Sequence, residues 1–331
     1  MNKIRVGVIG VGKLGSIHAR IYSELDNVQF IGVYDTNIDK AIEISRQFGV
    51  RTFPSLDSLL SKVDAVSIVV PTSSHYEVAC QAIENNVHCL IEKPFTGSMR
   101  LAKRLFNKAR RKKTVLQVGH VERFNSAMQI LRQMVPEPPL FVECHRLSPF
   151  PNRATDVSVV MDLMIHDIDI CLWFIPHRLQ AVEAVGAEVL TAKEDIANAR
   201  LKFTNGSICD ITASRISDET MRKIRMFFPG AYVSIDYLNQ EIELFLISEK
   251  GIEKKRILPD KSEPLKEEIR AFIDAVRHKR KPVVSGLDGL AALEVAERIL
   301  KSIHKNKRHI YKKLVASRSN QTVRRSGIIE G

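Results

Sequence analysis

The chain contains no apolar run near the roughly 18 residues that a membrane-spanning helix needs, no internal repeat and no low-complexity segment. Cysteine is scarce and scattered. Cys80, Cys89, Cys144, Cys171 and Cys209 are odd in number, far apart and never in a CxxC pair, so their spacing supports neither a disulfide framework nor a zinc site. Four lie in apolar segments and read as small core residues, which points to a reducing, cytoplasmic compartment. Acids are nearly missing from the end of the chain: residues 301–331 hold nine Lys/Arg and one Glu. Most of the net charge of +12 therefore belongs to this tail, with a second basic cluster at 108-KARRKK-113. A basic tail can meet nucleic acid or an anionic surface. The lack of interleaved aromatics argues against single-strand binding, so a solvated terminus and no specific nucleic-acid partner are expected.

What remains is a chain of 331 residues with 44% hydrophobic and 27% charged residues, enough for two domains. The opening MNKIRVGVIGVG reads as a first strand rather than a signal peptide, because glycines interrupt its apolar part. Strand patterns at 3–9, 28–35, 64–71, 87–94 and 114–120 alternate with helical patterns at 13–25, 38–48, 74–86 and 98–112. That alternation predicts a doubly wound parallel sheet. After about residue 121 the pattern changes. A helix near 125–134 is followed by alternating segments at 139–147, 180–190, 196–203, 207–215, 221–228 and 240–248, then by helices at 263–279 and 287–305. An α/β fold with two domains is expected: a Rossmann domain over 1–121, an open, mostly antiparallel sheet with helices on one face over 122–305, and a flexible basic tail over 306–331.

Between the first strand and its helix stands 10-GVGKLG-15. Gly10 permits a tight turn, Gly12 leaves space for a pyrophosphate, and Gly15 lets the helix pack closely on the sheet. Lys13 and Leu14 share the turn, and the helix start offers free N–H groups to phosphates. Asp35 ends the second strand twenty residues after Gly15, which is the context that makes the motif specific. A carboxylate there bonds both ribose hydroxyls and repels a 2′-phosphate. Thr36 and Asn37 follow with no Arg to receive one, so NAD is favoured over NADP. The 71-PTSSH-75 turn lies on the same ligand-binding edge of the sheet, with Pro71, Thr72 and His75 as cofactor contacts; Thr72 or Ser73 could equally cap the next helix. Glu92 and Lys93, in 92-EKP-94, end another parallel strand at that edge, where a lysine can hold a developing alkoxide.

One segment resists a core reading: 162-DLMIHDID-169 sets three acids and a histidine among apolar residues. Carboxylates are rarely buried without partners, so the segment is either a surface helix of odd composition or the lining of a wet cavity. With the glycine motif, the PTSSH turn and EKP, the chain resembles the glucose–fructose oxidoreductase/inositol dehydrogenase/MocA (Gfo/Idh/MocA) family from about residue 3 to 305. The resemblance implies that Asp162 and His166 face the nicotinamide across the cleft. His166 is then the base that takes a proton from a sugar hydroxyl as hydride leaves, Asp162 lies beside the substrate or helps to position the reacting hydroxyl, and Lys93 completes the set. It implies no metal. Asp169 either shapes the same pocket or makes a structural bond.

Within the family, 119-GHVERFNSA-127 and 155-TDVSVVMDLMIHDID-169 are similar to the members that oxidise the 3-hydroxyl of UDP-N-acetylglucosamine, feeding an aminotransferase in lipid A synthesis. Ser126 replaces an expected Pro, and the basic tail has no counterpart in the family pattern. A diphosphate wants arginine forks, for which Arg123, Arg146 and Arg153 are candidates, with His120, Asn125 and His145 as polar contacts. A free sugar, inositol or other cyclic polyol is the alternative substrate, and an inactive sensor or a polyanion-binding tail is the alternative of another class. A homo-oligomer, dimer or tetramer, is expected through the open sheet.

Overall fold

The computed structural model describes residues 3–135, 137–150, 157–248 and 251–326. Its first half runs β1 (Ile4–Ile9), α1 (Lys13–Glu24), β2 (Val28–Tyr34), α2 (Ile38–Phe48), β3 (Arg51–Thr52), α3 (Leu56–Leu60), β4 (Ala65–Ile68), α4 (His75–Glu84), β5 (His88–Glu92), α5 (Met99–Lys112) and β6 (Leu116–Gly119). The six strands are parallel, in the order β3-β2-β1-β4-β5-β6. Alternate residues of one strand feed cores on opposite faces. Val6 and Val8 pack with Ile21 and Val33, while Ile9 packs with Leu59, Ile83 and Leu105. Burial on both faces is why these strands read as near-continuous apolar runs. Strand order reverses between β1 and β4, which opens a crevice at the C-terminal strand ends.

The second half contains α6 (Ser126–Met134), β7 (Phe141–Leu147), a π-helical turn (Val160–Met164) that leads into α7 (Ile165–Phe174), β8 (Leu179–Ala187), β9 (Ile196–Phe203), β10 (Ile208–Ser214), β11 (Met221–Phe228), β12 (Ala231–Asp236), β13 (Glu241–Ser248), β14 (Gly251–Ile257), α8 (Pro264–Arg277) and α9 (Gly286–Ser326). Eight strands form one sheet, β14-β13-β12-β11-β7-β10-β9-β8, antiparallel except for the β7–β10 pair. Helices α6, α7 and α9 bury one face, where Cys144, Ile211 and Met226 meet Ile168 and Ile299. On the other face Phe141, Phe227, Tyr232 and Phe245 form a ladder with ring centroids 5.6, 4.9 and 4.8 Å apart.

The α/β class and both sheets match the expectation. Strands β3, β12 and β14 and helix α3 were not anticipated. β3 has only two residues, and β14 is an exposed, charged edge strand that blunts edge pairing at the cost of a visible apolar alternation. The closing helix runs to Ser326, where the apolar spacing ends it near residue 305. Helix α8 packs its buried stripe, Ile269, Phe272, Ile273 and Val276, onto the first sheet. Helix α9 spans both halves, with Leu293 in one core and Ala296 and Ile299 in the other. All five cysteines are free, and four are buried. Among the described residues, no helix is long and apolar enough to cross a membrane.

Candidate active site

The three motif glycines meet three different steric demands. At Gly10 the backbone has φ +85°, and a Cβ would lie 2.7 Å from the Val69 carbonyl oxygen. At Gly15 a Cβ would lie 1.9 Å from the Gly10 carbonyl oxygen, so no side chain fits. At Gly12 nothing lies within 4 Å; the space is open at the start of α1. That start has no side-chain cap and no acid in its first turn, so its N–H groups and dipole suit an anion. Lys13 and Leu14 form that first turn. Asp35 accepts the Val11 N–H at 2.7 Å and the Asn37 N–H at 2.8 Å, which fixes the carboxylate beside the turn, with the exposed Thr36 next to it. The residues present therefore fit a dinucleotide.

Pro71 leads into a 3-10 turn, Thr72–Ser74, ahead of α4. Neither Thr72 nor Ser73 caps that helix, so their hydroxyls are not spent on a cap. The buried His75 is a brace: its ring nitrogens lie 2.9 Å from the Val70 carbonyl oxygen and 3.0 Å from that of Pro94, tying the end of β4 to the segment after β5. Burial lowers its pKa.

Glu92 is buried 3.2 Å from His18 Nε2 on α1 and accepts the Lys93 N–H at 3.2 Å. Lys93 reaches across to the second half. Its Nζ donates to the Asp162 carbonyl oxygen at 2.6 Å and to Asp162 Oδ1 at 2.9 Å. Asp162 sits in the π-helical turn, a feature frequent at functional sites, and His166 follows in the first turn of α7. Burial, then Lys93, Arg146, His120 and Arg222, hold the His166 pKa well below the ordinary imidazole value. The imidazole is neutral at pH 7, as a base must be, and the low-pKa histidine beside a lysine can pass a proton while the lysine stabilises an oxyanion. Nearby His120 is buried, with both ring nitrogens lacking a hydrogen-bond partner among the described residues, and burial lowers its pKa too. Buried polar atoms are normally bonded, which keeps His120 a candidate for contact with a bound group.

The acids of the DLMIHDID segment have two fates. Asp162 meets Lys93, whereas Asp167 and Asp169 are fully engaged in the fold. Arg123 clamps Asp169 with Nε and Nη2, both at 2.7 Å, reaches Asp288 with Nη1 at 3.1 Å, and lies over the Trp173 ring. Arg146 clamps Asp167 at 2.8 and 2.9 Å, reaches Glu122 at 2.8 Å, and lies over the Tyr237 ring. Each guanidinium commits three donors to two carboxylates and so offers a diphosphate no free fork. Asn125 accepts from the Ala127 N–H and donates to the Tyr237 carbonyl oxygen, so it caps α6. His145 alternates with the core-facing Cys144 and Arg146 and so lies on the other face of β7. Arg153 falls outside the described residues.

Two charged residues were missed. Arg222 shares its parity with the buried Ile224 and Met226 on β11, pairs across the sheet with Arg146, and acts on His166. Its signal was an arginine at a core-facing strand position. Glu268 on α8 is fully buried, with neither carboxyl oxygen hydrogen-bonded among the described residues. Burial, then Glu92 and Asp169, push its pKa well above the ordinary value.

Comparison with known proteins agrees with this fold. The Gfo/Idh/MocA oxidoreductase family, NAD-binding Rossmann fold, matches residues 4–120, and the Gfo/Idh/MocA C-terminal domain matches residues 124–231. The chain is 39% identical over 302 residues to a UDP-N-acetylglucosamine 3-dehydrogenase of Acidithiobacillus ferrooxidans, covering 89% of this chain and 96% of that one. A solved structure of that enzyme superposes with a TM-score of 0.88, covering 92% of this chain and 98% of that one. A myo-inositol 2-dehydrogenase of Thermotoga maritima is 26% identical over 329 residues, with 92% of this chain and 97% of that one covered. With the dinucleotide turn, the lysine at the strand edge and the aspartate–histidine pair on one frame, the chain belongs to the Gfo/Idh/MocA family of oxidoreductases and is an NAD(P)-dependent dehydrogenase.

Proposed function

We propose that the chain oxidises the 3-hydroxyl of UDP-N-acetylglucosamine to a 3-keto sugar nucleotide, with NAD as hydride acceptor. The observation that carries this reading is the 39% identity to a UDP-N-acetylglucosamine 3-dehydrogenase across 96% of that protein's length. Gly10, Gly12, Gly15 and the start of α1 hold the pyrophosphate, and Asp35 holds the adenosine ribose, its negative charge favouring NAD over NADP. When bound, the cofactor supplies the site that accepts hydride. His166 takes the hydroxyl proton. Lys93, oriented by Asp162, stabilises the alkoxide as it forms. His120 bonds the sugar through a ring nitrogen that otherwise lacks a partner, and Arg222 adds positive charge on the substrate side. The ketone suits an aminotransferase as the next enzyme. A cytoplasmic location and a homo-oligomer joined through the aromatic face of the eight-stranded sheet complete the proposal; a monomer in light scattering at micromolar concentration overturns the oligomer.

A second reading, a free cyclic polyol as substrate, is favoured by one observation: Arg123 and Arg146 are committed to carboxylates rather than to a diphosphate. One assay separates the two. The protein is mixed with NAD and UDP-N-acetylglucosamine, with an aminotransferase and glutamate to trap the ketone, and NADH absorbance is followed beside parallel runs with inositol and free N-acetylglucosamine. NADH from the nucleotide sugar alone is the expected result. Signal only from a free polyol moves the assignment to the second reading.

A further inference from the structure

The basic cluster 108-KARRKK-113 takes no part in the site described so far. It ends α5, and the fold brings it beside a second basic run after α8. Arg110 and Lys113 from the first, and Lys279, Arg280 and Lys281 from the second, surround a cavity of about 610 Å³. The cavity reaches Thr114–Leu116 and His88, the starts of β6 and β5, so it opens at the edge of the sheet opposite the dinucleotide turn. Its volume lies in the range of small-molecule sites.

Three features distinguish it from an ordinary solvated basic surface. No acid lines it, and among the described residues only Arg280 of the five cations is ion-paired, to Asp274. Its wall is apolar, formed by Phe106, Val115, Leu116 and Leu287. Lys113 and Lys279 both adopt the left-handed backbone region, with φ +55° and +51°. Glycine would end either helix without that strain, yet both positions hold a cation over the cavity. His88 accepts the Val115 N–H at Nδ1, so the neutral ring carries its proton on Nε2 as a further donor.

We propose that this cavity is a second small-molecule site, for a ligand with a phosphate-type, multiply charged anionic head and an apolar body. The head meets Arg110, Lys113, Lys279 and Lys281, and the body lies on Phe106 and Leu287. The test uses the full chain saturated with NAD, so that the nucleotide cleft is occupied, and titrates 1-naphthyl phosphate by fluorescence. Binding is expected to weaken by about ten-fold or more in the double variant Lys113→Glu/Lys281→Glu, with NAD affinity unchanged. A second variant pair guards against a folding artefact. Lys113→Gly and Lys279→Gly should raise the melting temperature by relieving the backbone and still weaken naphthyl phosphate. Unchanged binding in these variants overturns the site. Inorganic phosphate binding as tightly as naphthyl phosphate overturns the ligand class, because the apolar wall then contributes nothing. Binding to phosphatidylglycerol vesicles, with none to soluble naphthyl phosphate, overturns it in favour of a membrane-docking surface.

Discussion

On the cofactor side of the cleft, space is made by absent side chains. Gly10 and Gly15 allow the backbone to close on itself, and Gly12 leaves room over α1. On the side formed by α7, position is fixed by charged side chains that hold one another: Arg123 with Asp169 and Asp288, and Arg146 with Asp167 and Glu122. The first side presents backbone N–H groups, which bind any phosphate and need no particular sequence beyond glycine. The second fixes one helix so that Lys93, Asp162 and His166 converge. A turn made of glycines tolerates little addition; a helix held by buried ion pairs tolerates little subtraction.

That contrast can be broken in order of expected effect. The largest effect is His166→Ala, expected to lower kcat by about 10²–10⁴-fold, with Lys93→Met falling in the same direction. NAD affinity measured by fluorescence quenching should stay near the parent value, and its loss would reassign both residues to the cofactor. In the parent, kcat/KM should hold as pH falls through the ordinary imidazole range and drop only below it, because the His166 pKa is depressed; an acid limb at the ordinary value would sink the assignment. Arg146→Met leaves Asp167 and Glu122 buried without their cation and should cost about 3–5 kcal/mol in chemical denaturation. The added change Asp167→Leu should recover part of that loss, since an apolar pair replaces a charged one.

Gly15→Ala should destabilise the apo protein by about 1–3 kcal/mol, as its Cβ meets the Gly10 carbonyl. Gly12→Ala should leave apo stability unchanged and weaken NAD. Equal effects of the two would deny that the space at Gly12 is the cofactor's. Asp35→Ser should weaken NAD about ten-fold and spare NADP, read from the two KM values; equal loss of both would reduce Asp35 to its bond with Val11. The effect that is smallest near neutral-to-acid pH, and grows above it, is that of Glu268→Gln. The folded-state pKa is raised, so Glu268 contributes stability that is complete below the unfolded value and lost as pH rises towards the folded one. The variant should match the parent near pH 4 and exceed it by a margin that widens as pH rises towards 8. A constant difference between them would show that Glu268 does not titrate.

Sequence alone determined whatever depends on local backbone and period. The glycine turn, its strand and helix, and Asp35 were legible because they are neighbours in the chain and each has one steric or hydrogen-bonding reason. The parallel sheet was legible because burial on both faces leaves continuous apolar runs. The narrow edge strand β14 was not, because its charges erase the alternation. The roles of charged residues were decided by tertiary structure. From the segments they occupy, Arg123 and Arg146 read as candidate cations for a diphosphate, Asn125 as a polar substrate contact, and His75 as a cofactor contact. Each turned out to have partners 2 to 165 residues away: Ala127 for Asn125 and Asp288 for Arg123 at the extremes. An ionisable side chain carries the same letter whether it faces a ligand or a buried counter-charge. Only packing decides which, because desolvation makes an unpaired charge costly and so selects its partner from whatever the fold brings near.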